Sequence, residues 1–242
     1  MTHDESIGRD GWTETAHETP FGTLREQGPQ ALLADHATAF LLRHMRVTPG
    51  SRVAEPGCGT GMLSLAAALA GARDVIGTDI DPVAVAAARA NARLNNLTQA
   101  RFELGNLLEP VDRGLDLVVA LLPHKPAPRP FNPRYYGGTD GTDLLLTVID
   151  QARDRLRPGG RLILYHNSIA NPPRVARALA NGFDVTLLAE KKRYFSRGEF
   201  DALTPGMFAY LERQAANGEA EYGTDDTGLF FMARLYEGSR RA

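Results

Sequence analysis

The sequence predicts an α/β protein built on a seven-stranded, mostly parallel sheet with helices on both faces and an antiparallel last strand. Between residues 52 and 165, short apolar runs suited to buried strands alternate with alanine-rich runs suited to helices. Such alternation is typical of parallel sheets, because each connection between parallel strands carries a helix back across the sheet. A glycine-rich turn after the first strand and an acidic residue at the end of the second support the same fold class.

Hydrophobic periodicity predicts the elements in order. The predicted helices cover residues 29–46, 62–70, 82–94, 142–156 and 174–181, and the predicted strands cover 52–55, 74–78, 100–104, 115–121, 161–165, 184–188 and 228–235. The last two strands are expected to pair antiparallel at an edge. Residues 190–227 are too long for a hairpin loop and are predicted to form an insertion. Residues 1–48 are predicted to form a helical N-terminal cap or lid on a main domain spanning residues 49–242.

Length and composition restrict the class of protein. The chain has 242 residues, 43% of them hydrophobic, which suffices for one domain with its own core. Its 27 basic and 29 acidic residues give a net charge of -2, so a nucleic-acid partner is not expected. The single cysteine, Cys58, argues against disulfides and against a thiolate metal site, and no metal is predicted. The longest uncharged apolar run, residues 62–72, is too short to cross a bilayer, and the predicted location is cytoplasmic.

The segment VAEPGCGTG, residues 53–61, ends the first strand and begins a helix. Its glycines allow a sharp turn and let a ligand approach the main chain closely. A dinucleotide-binding loop would carry glycine at its sixth position, which here is Met62. Glu55 at the strand end would repel a pyrophosphate and suits a ligand with an ammonium group. The loop therefore favours a cationic ligand over NAD.

Asp79 stands at the end of the second strand, 22 positions after Gly57 (79 − 57). A carboxylate at this place in the topology can accept hydrogen bonds from both hydroxyls of a ribose. Asp81 precedes Pro82 and is predicted to cap the following helix. The loop and Asp79 together indicate a site for a nucleoside that carries a positive charge.

These motifs resemble the class I S-adenosyl-L-methionine (SAM)-dependent methyltransferases, in residues 55–61, 76–82 and 157–160. The resemblance spans about residues 50–166 and implies a Rossmann-like fold with SAM as the cofactor. It implies that the loop glycines pack against the methionine part of SAM, that the acid before them approaches its amino group, and that Asp79 holds the ribose. The cofactor-binding residues implied in this way are Glu55, Gly57, Gly59, Gly61, Asp79, Ile80, Asn106, Leu107 and Leu121.

Residues 71–77 and 87–95 resemble the ribosomal-protein and release-factor methyltransferases, and residues 136–141 resemble a stretch of the release-factor glutamine methyltransferases. Those enzymes carry Asn-Pro-Pro-Tyr after the fourth strand, where the asparagine and a proline carbonyl bind the planar nitrogen that is methylated. This chain has Leu-Leu-Pro-His at residues 121–124, with Leu121 in place of the asparagine. The substitution argues against methylation of a glutamine amide or a nucleobase amine by that mechanism.

His124 and His166 are the candidate catalytic residues. A neutral imidazole can take the proton that a hydroxyl or protonated amine must lose when it is methylated. The alternative for His124 is a loop histidine hydrogen-bonded to the backbone. Because the amide-binding motif is lost, the sequence favours methyl transfer to an O, N or C atom of a small-molecule acceptor. The alternatives are a protein methyltransferase acting on glutamine or arginine side chains and a noncatalytic SAM-binding scaffold. A homodimer is a candidate oligomeric state whichever function applies.

Overall fold

The computed structural model describes residues 6–7 and 12–242, which divide into two compact units. Unit 1 contains the described residues up to Leu121 together with residues 154–163 and Ala242. Unit 2 contains residues 122–153 and 164–241. In the described ranges, no helix has the length and apolar character needed to cross a membrane.

Unit 1 begins with strands where the sequence predicts a helical cap. The elements are β1 (Ser6–Ile7), β2 (Thr13–Thr19), β3 (Gly22–Gly28), a 3-10 turn (Gln30–Leu32) and helix α1 (His36–His44). The inward positions of β3 are Leu24, Glu26 and Gly28, of which only the first is a large apolar residue. The period-two signal depends on apolar inward positions, so the pattern misses this strand. The rest of the predicted cap, residues 1–5 and 8–11, lies outside the described residues.

The parallel part of the sheet forms the centre of unit 1. Its strands are β4 (Arg52–Pro56), β5 (Asp74–Asp79), β6 (Ala100–Leu104), β7 (Leu115–Ala120) and the first part of β8 (Leu156–Asn167), in the order β8-β7-β4-β5-β6. Helices α2 (Met62–Leu69) and α3 (Pro82–Leu94) follow β4 and β5 as predicted. Asp81 caps α3, since its Oδ1 accepts a hydrogen bond from the amide of Val83 at 2.8 Å. The predicted Rossmann-like fold is confirmed.

Unit 2 carries the antiparallel edge. Its elements are α4 (Asp143–Arg155, whose last two residues lie in unit 1), the end of β8, α5 (Pro172–Ala180), β9 (Phe183–Phe195), α6 (Arg197–Leu203), α7 (Met207–Ala216), β10 (Gly223–Asp225) and β11 (Gly228–Arg240). The last strand, β11, pairs antiparallel with β9 and β10. The sheet that contains β4 to β11 has eight strands among the described residues, one more than predicted, because β10 falls within the expected insertion.

The predicted insertion packs on an aromatic cluster within unit 2 that it shares with β9 and β11. It begins after β9, so its first predicted residues, 190–195, belong to a regular strand. Phe195 packs against Phe200 with ring centroids 4.5 Å apart and against Phe231 at 5.6 Å. Met207, Phe208 and other apolar side chains of α6 and α7 join this buried cluster. Burial of the apolar side chains of α6 and α7 against those of the neighbouring strands therefore stabilises the insertion.

Candidate functional site

The loop between β4 and α2 has the conformation that its glycines allow. Gly57, Gly59 and Gly61 have φ values of 69°, 53° and 85°, in the region that side chains disfavour. Gly61 is also required by space, because a Cβ atom there would lie 2.8 Å from the ring of Phe102. The amide of Cys58 donates a hydrogen bond to Thr78 O at 2.9 Å and ties the loop to β5. The predicted loop is present, and its shape depends on glycine.

Glu55, in β4, is a buried acid beneath this loop. Its Oε2 accepts hydrogen bonds from the amide and the hydroxyl of Ser64, at 2.7 and 2.5 Å. Burial raises the pKa of Glu55 from 4.5 to about 8, an effect that the charge of Asp79 reinforces and the Ser64 hydrogen bonds reduce. The carboxyl group is therefore mostly protonated at neutral pH, and a cation placed beside it would favour loss of that proton.

Asp79 ends β5 with both carboxylate oxygens engaged by the backbone. Oδ2 accepts from the amide of Gly59 and Oδ1 from the amide of Asp81, each at 2.9 Å. A carboxylate oxygen can accept more than one hydrogen bond, so each retains capacity for a ligand hydroxyl. The arrangement fixes the carboxylate and connects it to the glycine loop.

An exposed apolar pair stands beside Asp79. Ile80 is 71% exposed, and Leu104, which pairs with Asp79 in the register of β5 and β6, is 59% exposed. Large apolar side chains left in water next to a fixed carboxylate suit the flat face of a purine. Ile80 is among the predicted cofactor-binding residues, whereas Leu104 was not predicted, although its position at the end of the third parallel strand was a usable signal.

The remaining predicted cofactor residues follow β6 and β7. Asn106 is exposed, and its Nδ2 donates to Glu109 Oε1 at 2.7 Å. Leu107 is buried with φ of 49°, and its carbonyl accepts from Thr78 Oγ1 at 2.5 Å. Leu121 is half-buried directly after β7. Because β4 to β7 are parallel neighbours, their carboxyl ends bring all nine predicted cofactor-binding residues to one edge of unit 1.

His124 lies in unit 2 with both ring nitrogens bonded to the backbone. The amide of Asn167 donates to Nε2 at 3.0 Å, so the proton is on Nδ1, which donates to Leu122 O at 2.5 Å. Burial lowers the pKa of His124 from 6.5 to about 4, with a smaller contribution from the charge of Lys125. The lone pair that a base would use is already engaged. This geometry is that of the backbone-bonded alternative, and a base role, which stays a prediction, would require the Asn167 amide to release Nε2.

His166 is fully buried in unit 2 beside His124, with ring centroids 6.3 Å apart. Its Nε2 lies 2.8 Å from Ala170 O and must donate to that carbonyl. Nδ1 has no hydrogen-bond partner among the described residues and is enclosed. Burial lowers the pKa of His166 to about 3. A base role for His166 stays a prediction, and it would require the enclosed Nδ1 to become accessible to the acceptor.

Residues 136–141, which resemble the release-factor enzymes, hold the loop after β7. A Cβ atom at Gly137 would lie 2.9 Å from Pro123 O, and one at Gly141 would lie 2.6 Å from His124 O. The amide of Gly137 donates to Lys125 O at 3.1 Å. Only glycine leaves the two segments room to pack so closely, which gives this motif a structural explanation.

The parallel sheet, its glycine loop and the acid at the end of the second parallel strand define an enzyme that transfers methyl groups from SAM. The chain belongs to the methyltransferase small domain family, whose model matches residues 32–196. The predicted class of enzyme and the predicted cofactor are both confirmed.

Similar proteins act on different acceptors. The chain is 31% identical over 160 residues to a "Putative protein N5-glutamine methyltransferase" of Methanocaldococcus jannaschii, which covers 63% of this chain and 81% of that protein. It is 32% identical over 151 residues, 61% of its length, to the ribosomal protein L11 methyltransferase of Symbiobacterium thermophilum, but spans only 43% of that enzyme. The solved structure of T. thermophilus 16S rRNA N2 G1207 methyltransferase (RsmC), in complex with AdoMet and guanosine, covers 96% of this chain and 51% of its own, with a TM-score of 0.62 and 18% identity. The last likeness shows the fold alone.

Proposed function

We propose that this enzyme methylates a nitrogen of a protein side chain. The observation that carries the proposal is the similarity to a protein named as a glutamine methyltransferase, of which the chain covers 81%. The L11 methyltransferases support the same class of acceptor. The structure adds that the segment resembling release-factor enzymes packs on the loop after β7. The sequence-based preference for a small-molecule acceptor has no comparable support, and the expectation against a nucleic-acid partner rests only on net charge and on Leu121 in place of the asparagine.

We further propose that SAM binds at the carboxyl edge of unit 1. Asp79 would hold the ribose hydroxyls, Ile80 and Leu104 would pack on the adenine, and the glycine loop would receive the methionine part with Glu55 nearest its ammonium group. The fixed carboxylate and the exposed apolar pair fit a nucleoside. When bound, SAM supplies an electrophilic methyl group on its sulfonium, and the task of the protein is to position it and exclude water.

SAM binding at pH 7 is expected to release protons from Glu55, up to about one per molecule bound. In the free protein the pKa of this residue is about 8, and a neighbouring ammonium group lowers it because the charged form gains a partner. Calorimetry in phosphate and in Tris, which differ in ionisation enthalpy, measures the release as a difference in apparent binding enthalpy. Glu55→Gln is the control and should reduce that difference. An equal buffer dependence in both proteins would contradict a role of Glu55 beside the ammonium.

The acceptor nitrogen must be held differently from the amide in the release-factor enzymes. Leu121 offers no hydrogen-bonding group at the place of their asparagine. Leu122 O, adjacent to it, already accepts the Nδ1 proton of His124. The asparagine side chain is thus replaced by an apolar one, and the adjacent carbonyl already accepts one hydrogen bond while keeping capacity for a second. Product analysis therefore has to distinguish a glutamine side chain from an arginine side chain.

The acceptor is tested with extract from cells that lack this protein, incubated with the purified enzyme and methyl-labelled SAM. We expect label in a discrete polypeptide that survives ribonuclease and is destroyed by protease. Hydrolysis in acid would release methylamine from methylated glutamine, whereas methylarginine would survive. Enzyme carrying Asp79→Ala serves as the control and should transfer less label at a SAM concentration that does not saturate it.

Three outcomes would overturn the proposal. Label that disappears with ribonuclease would identify an RNA acceptor. Label found only in the dialysable fraction would support a small-molecule acceptor, as the sequence predicts. An absence of transfer, with SAM bound tightly in calorimetry, would favour the noncatalytic scaffold.

A further inference from the structure

Two asparagines of α3 hydrogen-bond to β3 in the way that a neighbouring strand would. Asn91 Oδ1 accepts from the amide of Gln27 at 2.8 Å, and its Nδ2 donates to Gln27 O at 3.0 Å. Asn95 makes the same pair of bonds with Arg25, at 2.8 and 2.7 Å. Each side-chain amide thus satisfies one N–H and one C=O on the edge of β3 that does not face β2.

The spacing of the two elements explains why this pairing works. Residues four apart on a helix are separated by about 6 Å along its axis. Residues two apart on an antiparallel strand are separated by about 6.8 Å. Asparagines at positions 91 and 95 therefore match alternate residues of β3. Their bonds fasten the hairpin of β2 and β3 to α3 and cover a strand edge that would otherwise remain open.

The fastened hairpin brings a buried acid to the glycine loop. Glu26 is fully buried, and its carboxylate accepts hydrogen bonds from the hydroxyl of Thr60 and, at 2.9 Å, from the amide of Ala34. His17 Nε2 lies 2.7 Å from its other oxygen. Asn91 Nδ2 donates to Thr60 O at 3.0 Å as well. Both the hydroxyl and the carbonyl of Thr60 are therefore held from outside the loop.

We infer that Glu26 is a positioning residue for SAM, acting through Thr60, and that Asn91 and Asn95 hold the hairpin that carries it. Thr60 stands between two loop glycines, Gly59 and Gly61, both at positive φ. Glycine-rich backbone has many accessible conformations, and ordering it during binding costs free energy. The bonds to Thr60 order the loop before SAM arrives.

A role of Glu26 at the glycine loop would affect the methionine end of SAM and not its nucleoside end. It rests on the proposed position of the methionine part at the glycine loop and is independent of the acceptor. Loosening the loop should weaken binding of SAM and spare 5′-methylthioadenosine, which keeps the nucleoside and lacks the amino-acid end. A general loss of folding would weaken both ligands.

The test is a double-mutant cycle read by calorimetry. Thr60→Val removes the hydroxyl at nearly constant shape, and Glu26→Met removes the carboxylate at similar length. We expect each to weaken SAM binding about tenfold, as for loss of a hydrogen bond to a charged group, and to change methylthioadenosine binding by less than about twofold. The double variant should bind SAM no more weakly than Glu26→Met, because Glu26 acts through Thr60.

Two controls complete the design. Glu14→Gln removes a half-buried carboxylate of the same hairpin, paired with Arg25 at 2.5 Å, and should leave both affinities unchanged. Asp79→Ala should weaken both ligands and so verifies the nucleoside position separately. Three results would each refute the positioning role. They are losses of SAM affinity that add in the double variant, equal losses of affinity for SAM and methylthioadenosine, and an unchanged SAM affinity in Thr60→Val. If Glu26→Met does not fold, the ligand comparison in Thr60→Val still decides the question.

Discussion

Replacing Asp79 with alanine is expected to weaken SAM binding by about 1.5–3 kcal/mol, the range for hydrogen bonds to a charged group. The carboxylate is held by the amides of Gly59 and Asp81, so it is already oriented for the ribose hydroxyls. Its removal also releases the Gly59 amide and loosens the glycine loop. Isothermal titration at constant pH measures the change.

Asp81→Ala is the matched control for this prediction. Asp81 is a second aspartate two residues away, but its Oδ1 caps α3 at the amide of Val83. Loss of a cap costs about 1 kcal/mol of stability. We therefore expect a lower melting temperature for Asp81→Ala with nearly unchanged SAM affinity. If Asp79→Ala also retained the affinity of the unaltered protein, the ribose assignment would be wrong.

Replacing Gly61 with alanine is expected to lower the free energy of unfolding by about 3 kcal/mol. Part of the loss, about 1–2 kcal/mol, comes from placing a side chain at φ of 85°. The rest comes from overlap, because the new Cβ would lie 2.8 Å from the Phe102 ring and 3.1 Å from Ala88 Cβ. Forcing additional volume into a packed core costs about 1–3 kcal/mol.

Gly206→Ala separates the two causes. Gly206 has φ of 77°, yet a Cβ there would meet no atom within 4 Å. The decrease in its free energy of unfolding, measured with urea, should reflect the backbone conformation alone. Equal losses in the two variants would show that the contact with Phe102 contributes nothing, and that Gly61 is needed for its φ value only.

Elements with strong local signals were predicted from sequence. Helix α3 was expected at residues 82–94 and begins and ends at those residues, because Asp81 and Pro82 mark its start locally. Strand β3 was missed because Glu26 occupies an inward position that is usually apolar. The bonds that permit a buried acid there come from residues distant in the chain, such as Thr60. A local sequence pattern cannot predict hydrogen-bond partners that are so distant in the chain.

The candidate site divides in the same way. The glycine loop and Asp79 follow consecutive parallel strands, so the order of elements was sufficient to bring them together. The surroundings of the two histidines could not be predicted, because they depend on backbone atoms that folding brings near. The amide of Asn167, 43 positions away, takes the lone pair of His124 that catalysis would need. The residue type predicts that a histidine can act as a base, but only the folded structure shows which backbone groups bond to its ring nitrogens.

The paired asparagines have a practical consequence for anyone who shortens this gene. The family match begins at residue 32, beyond the hairpin. A fragment trimmed to that boundary would keep Asn91 and Asn95 and delete the backbone they bond to, stranding one amide in the interior. The fragment would also lack Glu26, the acidic partner of Thr60. Low expression or weak SAM binding by such a fragment would therefore be a result of the truncation.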